Sequence, residues 1–71
     1  MINYGSIIRI RKIDYLLGKF ILNNKDYACL FSISDGNRYV DPILVESFHH
    51  ISEKELNSMC VKDGFEIIKK G

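Results

Sequence analysis

Two successive β-rich runs that are apolar on both faces constrain this chain more than any other feature. They span residues 15–22 and 27–34, and a polar turn at residues 23–26 joins them. Their β-branched and aromatic residues favour strands, but one face of a small open sheet normally meets water. A single short helix covers little area, so we expect a second copy to cover the remaining face. The alternative is an ordinary barrel whose bent strands use both faces internally.

Three further strands are predicted on either side of these runs. Residues 6–12 alternate, with Ile8 and Ile10 facing one way and Arg9 and Arg11 the other, as in a half-buried strand. Residues 13–14 form the short turn from this strand into the first run. An Asp-Gly pair at residues 35–36 predicts a type I′ hairpin turn into a fourth strand at residues 37–46. Pro42 marks an edge, bulge or bend there. Residues 65–69 predict a closing strand.

A capping box predicts one helix starting at Ser52. The spacing lets the Ser52 side chain cap the Glu55 amide and lets the Glu55 side chain reach back to the Ser52 amide. It also lets Ile51 pack on Leu56. The helix should run for about two turns, because Asp63-Gly64 stops it.

The element order is therefore β-β-β-β-α-β in a single domain spanning residues 1–71. This order predicts a mostly β fold, a small five-stranded SH3-like barrel with one short helix before the last strand. An OB-type barrel is the second choice, because it usually needs more residues and a helix between strands three and four.

Composition and charge exclude several classes of function. The net charge of +1 disfavours a general nucleic-acid binder. No apolar stretch is long enough for a membrane span and no signal peptide is evident, so we expect a cytoplasmic protein with reduced, buried Cys29 and Cys60. Adjacent His49 and His50 point to opposite sides of an extended segment and do not suggest a metal site. No motif indicates an enzyme or a cofactor.

The residues following the Asp-Gly pair form the candidate binding site. Arg38 offers a planar fork for a carboxylate or phosphate, Asn37 a donor and an acceptor, and Tyr39 a stacking face. Arg9 or Arg11 would assist. The alternative is structural: Asn37 completes the turn, Asp35 or Asp41 neutralises Arg38, and Tyr39 belongs to the core.

Three segments carry a resemblance to a known group of proteins: Gly5 with residues 7–10, the DGNRYVDP segment at residues 35–42, and the ISEKE helix start at residues 51–55. Over residues 5–56 the chain resembles short, mostly uncharacterised SH3-like-barrel proteins of bacteria and their phages. The resemblance implies no catalytic residues. It does imply a phage context, in which small domains without an enzymatic signature act by occupying a host protein or a signalling nucleotide.

The sequence thus favours a non-enzymatic binding module that sequesters a small anionic, nucleotide-like ligand as a homo-oligomer. A symmetric oligomer would repeat the pocket in each subunit. The second hypothesis is a protein-interaction module that inhibits a host protein through a strand edge or an aromatic patch, in the manner of phage counter-defence. A weaker third is nucleic-acid binding along the strand that carries Arg9, Arg11 and Lys12.

Overall fold

The computed structural model describes residues 1–47, 49–60 and 63–71 of the chain. The strands are β1 (Ile2–Asn3), β2 (Ile7–Ile10), β3 (Ile13–Leu22), β4 (Lys25–Ser32), β5 (Ile43–Leu44), β6 (His50–Ile51) and β7 (Glu66–Lys69), and helix α1 spans Glu53–Cys60. Five strands form an antiparallel sheet in the order β5-β4-β3-β2-β7, while β1 and β6 form a separate two-stranded sheet.

This architecture confirms the prediction of a mostly β domain with one short helix before the last strand. Closure into a barrel is not confirmed, because within the described residues the five-stranded sheet has open edges at β5 and β7. Element order alone cannot decide closure, since closure depends on how strand tilt and stagger bring the two edges together.

Two hairpin turns differ from the sequence prediction, the first in its position and the second in its length. Ile10 pairs with Ile13, so the turn is Arg11-Lys12, with φ of 50° and 68°. The prediction that residues 11 and 12 belong to the strand and residues 13 and 14 to the turn is therefore wrong. Asn23 and Asn24 also have positive φ in a two-residue turn. Positive φ at both positions gives the twist that a two-residue hairpin needs.

The Asp-Gly pair is part of a wider turn than the predicted type I′ turn. Gly36 has φ of 76°, whereas Asp35 does not have positive φ. The Ser32 amide donates to the Asn37 carbonyl at 2.8 Å, leaving four residues in the loop. The Asp35 carboxylate accepts the Asn37 amide at 2.9 Å, a local bond typical of Asp in turns.

The predicted fourth strand, residues 37–46, is wrong over most of its length. Arg38 makes an isolated bridge to Phe31, and regular pairing resumes only at β5. Pro42 directly precedes β5; it has no amide hydrogen for a ladder bond and its φ is fixed, so it favours interruption of the strand.

Helix α1 forms where the sequence predicts it and covers one side of the sheet. The Glu55 amide donates to the Ser52 hydroxyl at 3.0 Å, and the Ser52 amide donates to the Glu55 carboxylate at 2.8 Å. The helix buries Leu56, Met59 and Cys60 in the same cluster as buried residues of the sheet. We call this side of the sheet the core face; it carries Ile8, Ile10, Tyr15, Leu17, Ala28 and Leu30.

Candidate functional site

The opposite side of the same strands is apolar over most of its centre, with Lys25 and the Arg9–Asp14 pair toward its ends, and α1 does not cover it. We call it the outer face; it is formed by Ile7, Leu16, Gly18, Phe20, Leu22, Tyr27, Cys29, Phe31 and Leu44. Cross-strand register places them together, since directly paired residues project to the same side. Leu16, Leu22 and Leu44 are 42%, 53% and 57% exposed. Exposed apolar patches of this kind mark interaction surfaces.

Aromatic rings give the outer face its shape. The Phe20 and Tyr27 rings stack with centroids 5.6 Å apart and an interplanar angle of 16°. The Phe31 ring lies over Gly18, where an added Cβ would come within 3.2 Å of a ring carbon. Glycine at position 18 therefore leaves room for the Phe31 ring, beside the buried Cys29 that pairs with Gly18.

Arg38 lies at the margin of this face. It is exposed and directly opposite Phe31, so its side chain projects to the outer side. Burial raises the pKa of the Cys29 thiol, and the nearby Arg38 charge partly counters that rise. No carboxylate among the described residues pairs with Arg38: the Asp35 carboxylate instead accepts the Asn37 amide. Its guanidinium is thus available to a partner.

The neighbours of Arg38 have structural roles. The Asn37 backbone closes the turn through both its amide and its carbonyl. Tyr39 is half-buried; its ring meets Tyr15 edge-on at 5.2 Å between centroids, and its amide donates to the Leu30 carbonyl at 2.9 Å. Of the three adjacent candidates, Tyr39 is therefore the one held against the core, whereas Asn37 and Arg38 have exposed side chains.

The other two arginines of the predicted site are paired elsewhere. Arg9 binds Asp14 through two nitrogens, at 2.7 and 3.3 Å, on the outer side of the β2–β3 hairpin. Arg11 contacts the Asp63 carboxylate at 2.7 Å. Three inter-strand spacings, about 14 Å, separate β2 from the segment carrying Arg38. The structure does not bring the five predicted residues into one pocket.

The sequence identified some of this surface and missed the rest. Because side chains alternate along a strand, the sequence of residues 15–22 predicts that Leu16, Phe20 and Leu22 share a face, and they do so in β3. The pairing of Arg9 with Asp14 was missed, because it depends on placing the turn at residues 11–12. The position of Phe31 beside Arg38 was also missed, because it follows from the four-residue loop.

Two shallow concavities lie away from Arg38. One is lined by residues of β5, α1 and their flanks, including Glu46, Lys54 and Glu55. The other is lined by Lys12, the first two residues of β3 and residues 33–34 of the loop after β4. Neither contains Asn37, Arg38 or Tyr39.

Comparisons with protein-family models, with curated proteins and with solved structures find no match to this chain. Within the described residues, no helix has the length and apolar character needed to cross a membrane.

Proposed function

We propose that this protein is a non-catalytic interaction module that binds a partner protein through its outer face. The observation that supports this most is the combination of an open apolar surface with the Arg38 guanidinium at its margin, which no carboxylate of the described residues pairs. Aromatic side chains and arginine are the residues that most often dominate binding energy in protein interfaces.

The chemistry of the face suggests the chemistry of the partner. Leu16, Phe20 and Phe31 favour apolar side chains, while Arg38 favours a carboxylate that can accept two hydrogen bonds from the guanidinium. The partner we propose is therefore a protein segment or surface with apolar residues beside an aspartate or glutamate. In the phage context that the sequence resemblance implies, binding such a surface would inhibit a host protein.

The alternative is sequestration of a small anionic, nucleotide-like ligand. One observation favours it: Phe31, a potential stacking surface, lies directly opposite Arg38, a potential phosphate ligand. We rank it second because small-molecule sites are usually concave. Arg9 and Arg11 are also already neutralised by carboxylates of the chain.

We also retain the SH3-like barrel as a proposal for the fold family. It rests on the order of the elements, with a short helix between the central antiparallel strands and the last strand.

Selection from a random peptide-display library tests the proposed function. We expect the selected peptides to combine apolar residues with an acidic residue. Arg38→Ala should weaken their binding by about 2–5 kcal/mol if the contact is desolvated, and Arg38→Lys should restore only part of it. Folding should change little, by about 0–1 kcal/mol, because Arg38 is exposed.

A matched pair of variants on one strand controls for general effects. Leu16→Thr alters the outer face and should reduce peptide binding. Ile21→Thr alters an exposed apolar residue of the same strand that projects to the other side, and it should not reduce binding. Equal effects of the two, or peptide binding that is insensitive to Arg38→Ala, would refute the proposal. Arg38-dependent binding of a cyclic dinucleotide without any peptide binding would favour the sequestration alternative.

A further inference from the structure

Strand β7 forms one edge of the five-stranded sheet. It pairs with β2 on one side, and no strand of the described chain lies on its other side. All four of its residues are exposed, including Ile67 at 36% and Ile68 at 40%. An edge of this kind presents unpaired backbone groups to a further strand.

The opposite edge of the sheet is much less suited to pairing. It consists of β5, which has only two residues and directly follows Pro42. Short edge strands and proline are devices by which proteins block edge pairing. If another strand adds to this sheet, β7 is the favoured position.

The sequence of β7 is complementary to itself in the antiparallel direction. It reads Glu66-Ile67-Ile68-Lys69. Antiparallel pairing with a second copy, centred between Ile67 and Ile68, places each Glu66 opposite Lys69 of the other copy. Each Ile67 then lies opposite Ile68 of the other copy. Opposite charges and apolar pairs across strands both stabilise a sheet.

A register irregularity makes this symmetric pairing possible. In such a dimer the two-fold axis is perpendicular to the sheet, so the outer face of one copy continues into the outer face of the other. Residues that lie opposite each other across the axis must therefore project to the same face. In a regular strand Glu66 and Lys69 would project to opposite faces. Here Glu66 pairs with Arg9 and Lys69 pairs with Ile7, and Arg9 and Ile7 both project to the outer side. Glu66 and Lys69 therefore share the outer side, because the register shifts by one residue between Ile7 and Ile8.

We propose that the protein forms a two-fold symmetric dimer through β7, with Glu66 of each copy opposite Lys69 of the other. The two sheets then join into one, and their outer faces lie side by side as a doubled binding surface. Four residues per copy form a small interface, so the dimer should be weak and concentration-dependent. This proposal does not depend on what the outer face binds.

A charge exchange tests the proposed dimer by sedimentation equilibrium. Glu66→Lys alone places lysines opposite each other, and Lys69→Glu alone places glutamates opposite each other. Each should weaken dimerisation by about tenfold, since two symmetric pairs change from attraction to repulsion. An equimolar mixture should dimerise as wild type does, because every opposed pair is then complementary. Lys54→Glu, an exposed charge on α1, is the control and should have no effect.

Each alternative result overturns the proposal. The proposal is wrong if the wild-type protein is monomeric. It is also wrong if the single variants dimerise as wild type does, or if their mixture stays monomeric. Loss of dimerisation in Leu16→Thr but not in the charge variants would show that copies meet through the outer face instead. Circular dichroism of each variant checks folding, and recovery in the mixture shows that both chains are intact. Peptide binding by the outer face should survive in the monomeric charge variants, so this test and that of the proposed function can fail separately.

Discussion

Leu16 and Leu17 are neighbours on β3 with the same side chain, yet Leu17 is fully buried and Leu16 is 42% exposed. Leu17 projects to the core face, where α1 and the β1–β6 pair add buried residues. Leu16 projects to the outer face, which the described chain leaves open. Both faces are apolar, so the difference comes from what packs on them. A buried face provides stability, whereas an open face of the same composition is available for binding.

Alanine substitution at these two adjacent residues gives the largest expected contrast. Leu17→Ala should lower the free energy of unfolding by about 2–5 kcal/mol, because it removes buried methyl groups and leaves a cavity. Leu16→Ala should cost less than about 1 kcal/mol, because much of its surface already meets water. Urea denaturation measures both values. Similar losses would mean that the outer face is also part of the stabilising core.

Weakening the start of α1 tests how much the core face depends on the helix. Ser52→Ala should cost about 0.5–2 kcal/mol, because it removes the hydroxyl that accepts the Glu55 amide and breaks the reciprocal capping pair. Ser58→Ala is the control within the same helix; its hydroxyl donates only to the Glu55 carbonyl on the exposed side. A thermal melt unchanged by Ser52→Ala would contradict the capping role.

The two buried cysteines report on the two faces separately. Burial raises the pKa of both thiols, that of Cys60 to about 11, so both should react slowly with iodoacetamide in the folded protein. Phe31→Ala should accelerate labelling of Cys29 severalfold, because the ring beside Gly18 and Cys29 is lost. Cys60 should stay protected, because it lies on the buried side of α1. Mass spectrometry of labelled peptides distinguishes the two sites, and equal acceleration at both would indicate general unfolding instead.

The smallest expected effect concerns the Arg9–Asp14 pair on the outer side. The hydrogen bond from Arg9 lowers the pKa of the Asp14 carboxyl from its ordinary value of 3.8. A carboxyl whose pKa is lowered in the folded state stabilises the protein above its unfolded pKa and loses that contribution as pH falls through the folded pKa. The melting temperature of wild type should therefore slightly exceed that of Asp14→Asn at pH 6. The difference should begin to shrink near pH 3.8 and disappear once the pH has fallen through the lowered pKa of the folded state. A difference that grows on acidification would contradict this role.

The sequence by itself determined the elements whose signals are local. The capping box specified where α1 begins because both of its hydrogen bonds join residues three apart. Runs of β-branched and aromatic residues predicted β3 and β4, although the start of β3 and both ends of β4 were misplaced by two residues. The last strand was misplaced by one residue at its start. Strand existence follows from such patterns because each side chain's direction is fixed by its own backbone.

Only the tertiary structure decided the features that depend on distant or weakly specified contacts. The turn at Arg11-Lys12 contains no glycine or asparagine from which it could be predicted. It forms there because the pairing of β2 with β3 fixes the register. That register pairs Arg9 with Asp14. The strand order places β3 and β4 between Arg9 and Arg38, so the five predicted residues do not form one pocket. Apolar patterning likewise could not say which face of β3 is buried. Burial depends on what packs against a face, and here α1 packs on the side that carries Leu17.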